Sequence, residues 1–340
     1  MNFKTVGWMF GLLAGALLLA GACSDDGQGE GVPVDQGVAG KDGTATGKDS
    51  KAPGEDSNKP TPDKGLPNPG FTGWRDLPGK GPLAGSHSAT LLKDGRVLMA
   101  GGLIYDSGTK GSAKAWLYNP ANQAFNPVAD MKQTRGGHQA VLLDDGKVLV
   151  MGGRDGSAYK PLAEAELFDP ATKTWSKVAD MPGKRSGHAA VKLASGKVLV
   201  VGGYGAGTTY YDSFIMYDPQ SKTWVSPALT MKYRRSAADA TLLPGGKLVI
   251  SGGWGGTGSD MTQFDQLTSL EIYDTVKITL VESKGKLITK RAGHTGVVLD
   301  VGRLTLIGGY CGSGCTPPGN ELYDPVKDQV VKINHQGTPP

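Results

Sequence analysis

Five times along the chain an aliphatic run is closed by a pair of glycines: GRVLMAGG ending at Gly102, GKVLVMGG at Gly153, GKVLVVGG at Gly203, GKLVISGG at Gly253 and GRLTLIGG at Gly309. Runs this short between glycines do not make helices, and without polar alternation they predict strands buried on both faces. Other positions keep step with them. Fourteen residues ahead of the first glycine of each pair stand His87, His138, His188, Ala238 and His294. Downstream come Tyr118, Phe168, Tyr217, Tyr273 and Tyr323, each followed by Asn or Asp, and seven residues further on Phe125, Trp175, Trp224, Leu280 and Val330. Each unit therefore predicts four short strands: a after the histidine, b in the aliphatic run, c through the aromatic, and d at the large apolar residue. Asp94-Gly95 and Asp145-Gly146 predict two-residue hairpin turns between a and b, because both residue types tolerate positive φ. Units of this length repeated in register build propellers or solenoids.

The succession of Gly-Gly, Tyr-Asp-Pro and Trp resembles the kelch repeat, and the resemblance covers residues 71–340. It implies an all-β fold, a kelch β-propeller with one four-stranded blade per repeat, hence five blades. The fourth repeat departs most, with Ala238, Thr275 and Leu280 in place of the histidine, proline and tryptophan. Residues 71–78 are in register as an additional strand d, since Trp74 precedes Ala84 by the ten residues that separate Phe125 from Arg135. In the kelch family such a strand often completes the last blade, yet the chain also offers Gln329 to Asn334 for that place.

Upstream of the repeats the pattern changes twice. Residues 1–22 carry one lysine, an apolar run and then small residues, a signal-peptide pattern, and Leu19-Ala20-Gly21-Ala22-Cys23 resembles the lipobox of bacterial lipoproteins. The resemblance implies that Cys23 is lipidated and that the protein is anchored in the cell envelope, on the outer or inner membrane, facing the periplasm or the cell surface. Residues 23–70 are rich in Asp, Gly, Lys, Ser, Thr and Pro, too poor in apolar surface to offset ordering entropy, and are expected to be a linker. Composition adds an exclusion. With 36 basic and 32 acidic residues interspersed, the net charge of +4 gives no nucleic-acid footprint. In an exported chain Cys311 and Cys315 are expected to form a disulfide.

Three sets of residues are candidates for function. Arg135, Arg185, Arg235 and Arg291 each lie three residues before the histidine position; they could present a basic circle to an anionic partner, or pin backbone carbonyls. The histidines share one repeat position and are expected to pack rather than to hold a metal. The b-to-c loops vary most between repeats and carry Tyr105, Arg154, Tyr159, Tyr204, Tyr210, Tyr211, Trp254 and Tyr310, the aromatic and small polar residues of a recognition surface. The expected function is binding of a protein or a glycan, with neither cofactor nor metal. The alternative is a carbohydrate-active enzyme with its site at the propeller axis, because some kelch propellers are oxidases similar to galactose oxidase and others sialic-acid epimerases. The oxidases depend on a cysteine cross-linked to a tyrosine, whereas Cys311 and Cys315 are the only cysteines of the repeat region.

Overall fold

The computed structural model describes residues 84–104, 109–156, 160–207, 209–257, 264–299, 302–312, 315 and 319–333. The signal segment, Cys23, the linker, residues 71–78 with Trp74, and the candidate residues Tyr105 and Tyr159 lie outside the described residues.

Each repeat folds as the pattern predicts, into an antiparallel four-stranded sheet with its strands in chain order. The third sheet consists of Ala189–Lys192, Val198–Val201, Phe214–Asp218 and Thr223–Val225. The register follows from the repeat: Val198 stands opposite Tyr217, and Tyr217 opposite Trp224. Five such sheets occur among the described residues, the first opening at Ser88 and the last closing with Gln329–Lys332. The strands Val148–Met151 and Val198–Val201 are buried at every position, which is why they carry no polar alternation.

Apolar side chains fill the spaces between consecutive sheets in four clusters. Val148, Val150, Phe168 and Trp175 of the second sheet meet Leu98, Ala100, Ala115 and Leu117 of the first, and the same positions recur between the later pairs. At Ile307, on the outer face of the fifth sheet, the side chain is 44 % exposed, against 0 % for the equivalent Met151.

The turns show what the consensus residues are for. Between strands a and b the expected two-residue hairpin is replaced by a three-residue loop. Gly95 N–H donates to Leu92 O at 3.1 Å, Leu92 N–H donates to Arg96 O at 2.8 Å, and only Gly95, at φ +82°, is left-handed. A type I turn followed by one left-handed residue fits the strand twist as well as the shorter hairpin, and it leaves the aspartate in ordinary backbone. Between strands c and d the Asp-Pro corner is an Asx turn, with Asp169 Oδ1 accepting from Ala171 N–H at 2.9 Å. The d-strand tryptophans do two things: Trp175 packs its ring 5.0 Å from Phe168, and its Nε1–H donates to Ala129 O of the preceding sheet at 2.8 Å.

One junction uses a carboxylate. Asp239, on the innermost strand of the fourth sheet, accepts from Thr241 Oγ1 at 2.6 Å and from Gly296 N–H of the fifth sheet at 3.0 Å. Burial raises its pKa above the ordinary carboxylate value despite both hydrogen bonds. The folded state thus binds a proton more tightly than the unfolded chain, and stability present in acid is lost as the pH rises through the folded pKa. Asp239→Asn, which keeps the shape and drops the charge, is expected to flatten that decline and to be no less stable than the parent at neutral pH. Urea unfolding across the acid range checks it; a steeper decline would contradict the assignment.

Candidate ligand-binding face

The d-to-a and b-to-c loops share one side of the sheets. Each d-to-a loop is held between the b-to-c loops of two neighbouring repeats, through backbone bridges such as Ser112 to Arg135 on one side and Gly136 to Arg154 on the other. The described candidate residues lie on this side.

The arginines are the first correction. Arg135, Arg185, Arg235 and Arg291 are buried, at 0 %, 3 %, 1 % and 0 % exposure, and none offers its charge to an outside partner. They pin carbonyls instead. Arg135 Nη1 donates to Gly152 O at 2.7 Å and Glu164 O at 2.8 Å, Nη2 donates to Glu166 Oε1 at 2.9 Å, and Arg135 O accepts from Gly102 N–H at 2.8 Å. One residue so staples the glycine pair of one repeat to that of the next. Arg235 with Glu271, and Arg291 with Glu321, repeat the arrangement. Glu166 also caps the d-to-a loop, accepting from Lys132 N–H at 2.7 Å and Gln133 N–H at 3.1 Å.

The third sheet solves the same problem differently. Ile215 occupies the glutamate position, and Arg185 donates to Gly202 O at 2.7 Å and Ser213 Oγ at 2.9 Å. Its guanidinium carbon sits 4.0 Å from the centroid of the Tyr211 ring, a cation–π contact in place of the ion pair. Burial lowers the Arg185 pKa to about 10, with Tyr211 and Asp212 opposing the shift. Tyr211 thus serves the scaffold while remaining half-buried in its loop.

The histidines are structural as well. His138 Nε2 pairs with Ser88 Oγ, and His294 Nε2 with Ser251 Oγ, each at 2.8 Å across a sheet boundary. Burial, reinforced by nearby arginines, pushes the His188 and His294 imidazoles down to about 3, so both are neutral at ordinary pH. No cluster of His, Cys, Asp and Glu able to hold a metal occurs among the described residues.

Of the remaining candidates, Arg154 is buried within the bridge to Gly136. Trp254 is half-buried in a ribbon of Arg234–Ser236, Trp254–Gly256 and Asp265–Gln266, and Tyr310 bridges to Ala292. Cys311 and Cys315 are joined as a disulfide, their Cα atoms 6.0 Å apart.

What the structure brings together is an aromatic step. Tyr204 and Tyr210, from the b-to-c loop of the third repeat, have ring centroids 6.2 Å apart, and Tyr210 lies 4.4 Å from Phe264 of the fourth repeat, at 54° to it. All three rings are partly exposed, and burial raises the Tyr210 hydroxyl to about 12. Phe264 escapes sequence reasoning because it stands about ten residues from the nearest repeat landmark, Gly253 or Tyr273, inside an insertion unique to its repeat. Its only signal is that an aromatic residue interrupts a polar loop.

Five sheets of one repeated pattern, packed face to face with their variable loops on one side, define a kelch-like β-propeller. The chain belongs to the Attractin/LZTR1 β-propeller family, whose model matches residues 82–315. A solved structure described as "Structure of YjhT" has the same fold: TM-score 0.60 at 17 % identity, covering 74 % of this chain and 84 % of that one. No functionally curated protein matches the sequence.

Proposed function

We infer that this protein is a membrane-tethered, extracytoplasmic propeller that binds a protein or a glycan on its loop face. The lipid expected at Cys23 and the linker of residues 23–70 would hold the propeller to the membrane. One observation carries the reading: the arginines and histidines that recur along the repeats are consumed by the scaffold, whereas Tyr210 and Phe264, which have no counterpart in the other repeats, meet Tyr204 on that face, all three partly exposed. Aromatic side chains supply contact area at small entropic cost, and a rigid scaffold with divergent loops is how such surfaces are carried. The carbohydrate-active enzyme needs convergent acid–base groups near neutral pKa. The imidazoles of His138, His188 and His294, held low by burial, favour binding over that alternative.

The test is a glycan array run beside affinity capture from envelope extracts, with the parent and with Tyr210→Ser/Phe264→Ser. The parent retains a ligand and the double variant loses it, while the unfolding midpoint stays close to that of the parent. Equal retention by the two proteins would remove the loop face from the reading.

A further inference from the structure

The disulfide of the fifth repeat reaches the aromatic step through one side chain. Gln266, 5 % exposed, closes the strand Asp265–Gln266 that pairs with Trp254–Gly256, and Phe264 is the residue just ahead of that strand. The Gln266 side-chain nitrogen donates to Cys311 O at 2.9 Å and to Asp265 Oδ1 at 2.7 Å, and a Cβ on Gly312 would lie 3.0 Å from the same amide. Repeat five therefore holds the ribbon that leads into Phe264, whose ring centroid lies 4.4 Å from that of Tyr210.

The accepting oxygen belongs to the peptide between Cys311 and Gly312. Tyr310 is fixed on one side by its bridge to Ala292, but Gly312, at φ +101°, is in a conformation that glycine leaves at no steric cost. The ring of residues 311–315, closed by the disulfide, is what selects that conformation. If the oxygen turns away, a buried amide loses its partner, which costs more than the bond itself is worth in water. The other side-chain anchor of the ribbon is weak, because Asp265 pairs with Lys290 between two exposed side chains.

We propose that the Cys311–Cys315 disulfide is a redox latch on the aromatic step: oxidised, it holds Gln266 and so Phe264 against Tyr210, and reduced by a dithiol it lets the ribbon loosen and the step come apart. The proposal rests on the loop-face reading given above and adds its regulation. In an oxidising extracytoplasmic compartment the latched form is the resting one. Cys311 is buried and Cys315 half-buried, so a thiolate of the dithiol attacks Cys315 Sγ, the protein S–S bond breaks, and Cys311 leaves as a thiolate that takes up a proton. The second thiol of the reductant then attacks the mixed disulfide, which frees Cys315 as a thiol and leaves the reductant as a disulfide. A ring this small restrains the unfolded chain less than a long loop does, which suits a local latch better than a global staple.

Hydrogen exchange read by mass spectrometry on the full chain, with and without dithiothreitol, tests this without a ligand. Reduction is expected to speed exchange in residues 254–257 and 264–267 by about tenfold or more, and Cys311→Ser/Cys315→Ser should do the same without reductant. Gln266→Ala should reproduce the loosening in the oxidised protein and leave little for reduction to add, because both changes remove one link. Unchanged exchange in the ribbon, full additivity of Gln266→Ala with reduction, or an equal acceleration in Val148–Met151 of the second sheet overturns the latch. A ligand from the array that Tyr210→Ser/Phe264→Ser loses, but that the reduced parent holds with unchanged affinity, would keep the loop-face reading and refute its redox control. Loosening of the ribbon with no ligand retained by either protein would uphold the latch and remove the loop-face reading instead.

Discussion

Glu166→Ala is expected to destabilise the folded protein by about 3–5 kcal/mol, the range for removing one partner of a fully buried ion pair. The carboxylate, 2 % exposed, is the one acidic side chain among the described residues that forms an ion pair with Arg135, itself 0 % exposed. Its loss leaves a guanidinium charge without compensation in a medium where it cannot be hydrated, and it orphans the amides of Lys132 and Gln133 as well. The double change Arg135→Met/Glu166→Leu should cost much less, since apolar residues of similar volume remove both the charge and its desolvation, although the carbonyls of Gly152 and Glu164 then lose their donor. Equilibrium unfolding in urea decides. A single variant within about 1 kcal/mol of the parent would mean that water reaches the pair, and the staple would then be a surface contact of small value.

The second large effect is at the glycine pair. Gly202 has φ +61°, and a Cβ there would collide with the carbonyl oxygen of Arg235. That oxygen cannot retreat, because it accepts from Gly203 N–H at 2.8 Å, while Gly202 O receives Arg185 Nη1. Gly202→Ala therefore adds a backbone collision to the left-handed penalty and is expected to cost upwards of about 3 kcal/mol. Gly207 isolates the second term: its φ is +66°, and a methyl added there would meet no atom within 4 Å, so Gly207→Ala should cost about 1–2 kcal/mol. In thermal unfolding the midpoint shift of the first variant should be about twice that of the second or more, at about 2–4 °C per kcal/mol for a domain of this size. Equal shifts would show that the space beside Arg235 O opens without cost.

Much of this fold is legible in the sequence because the same constraint is written five times. The aliphatic run, the glycine pair and the large apolar residue of strand d recur, so periodicity alone assigns strand order and burial. The role of the arginines is harder to read, because their partners lie two strands away. The signal is nevertheless present: Glu166, Glu271 and Glu321 each sit two residues before the c-strand aromatic, and where Ala84 replaces the arginine, Trp116 replaces the glutamate. Arg185 breaks that correlation with Ile215, and nothing linear says that Tyr211 takes over. The candidate face is the least legible part. Tyr210 and Phe264 are brought together by loops of different repeats, and loop residues that obey no period leave no trace of their neighbours.

The staples have one further property, which concerns time rather than stability. Each guanidinium binds a carbonyl seventeen residues ahead of it, four times over, and strands pair with their neighbours in sequence. Loops that close over so short a span lose little chain entropy, and contacts that are local in sequence form quickly. A β-protein of this size would otherwise fold slowly, through distant pairings. Here a finished sheet already presents the glycine pair that its successor's arginine loop must meet, and assembly can proceed along the chain by addition, one repeat at a time.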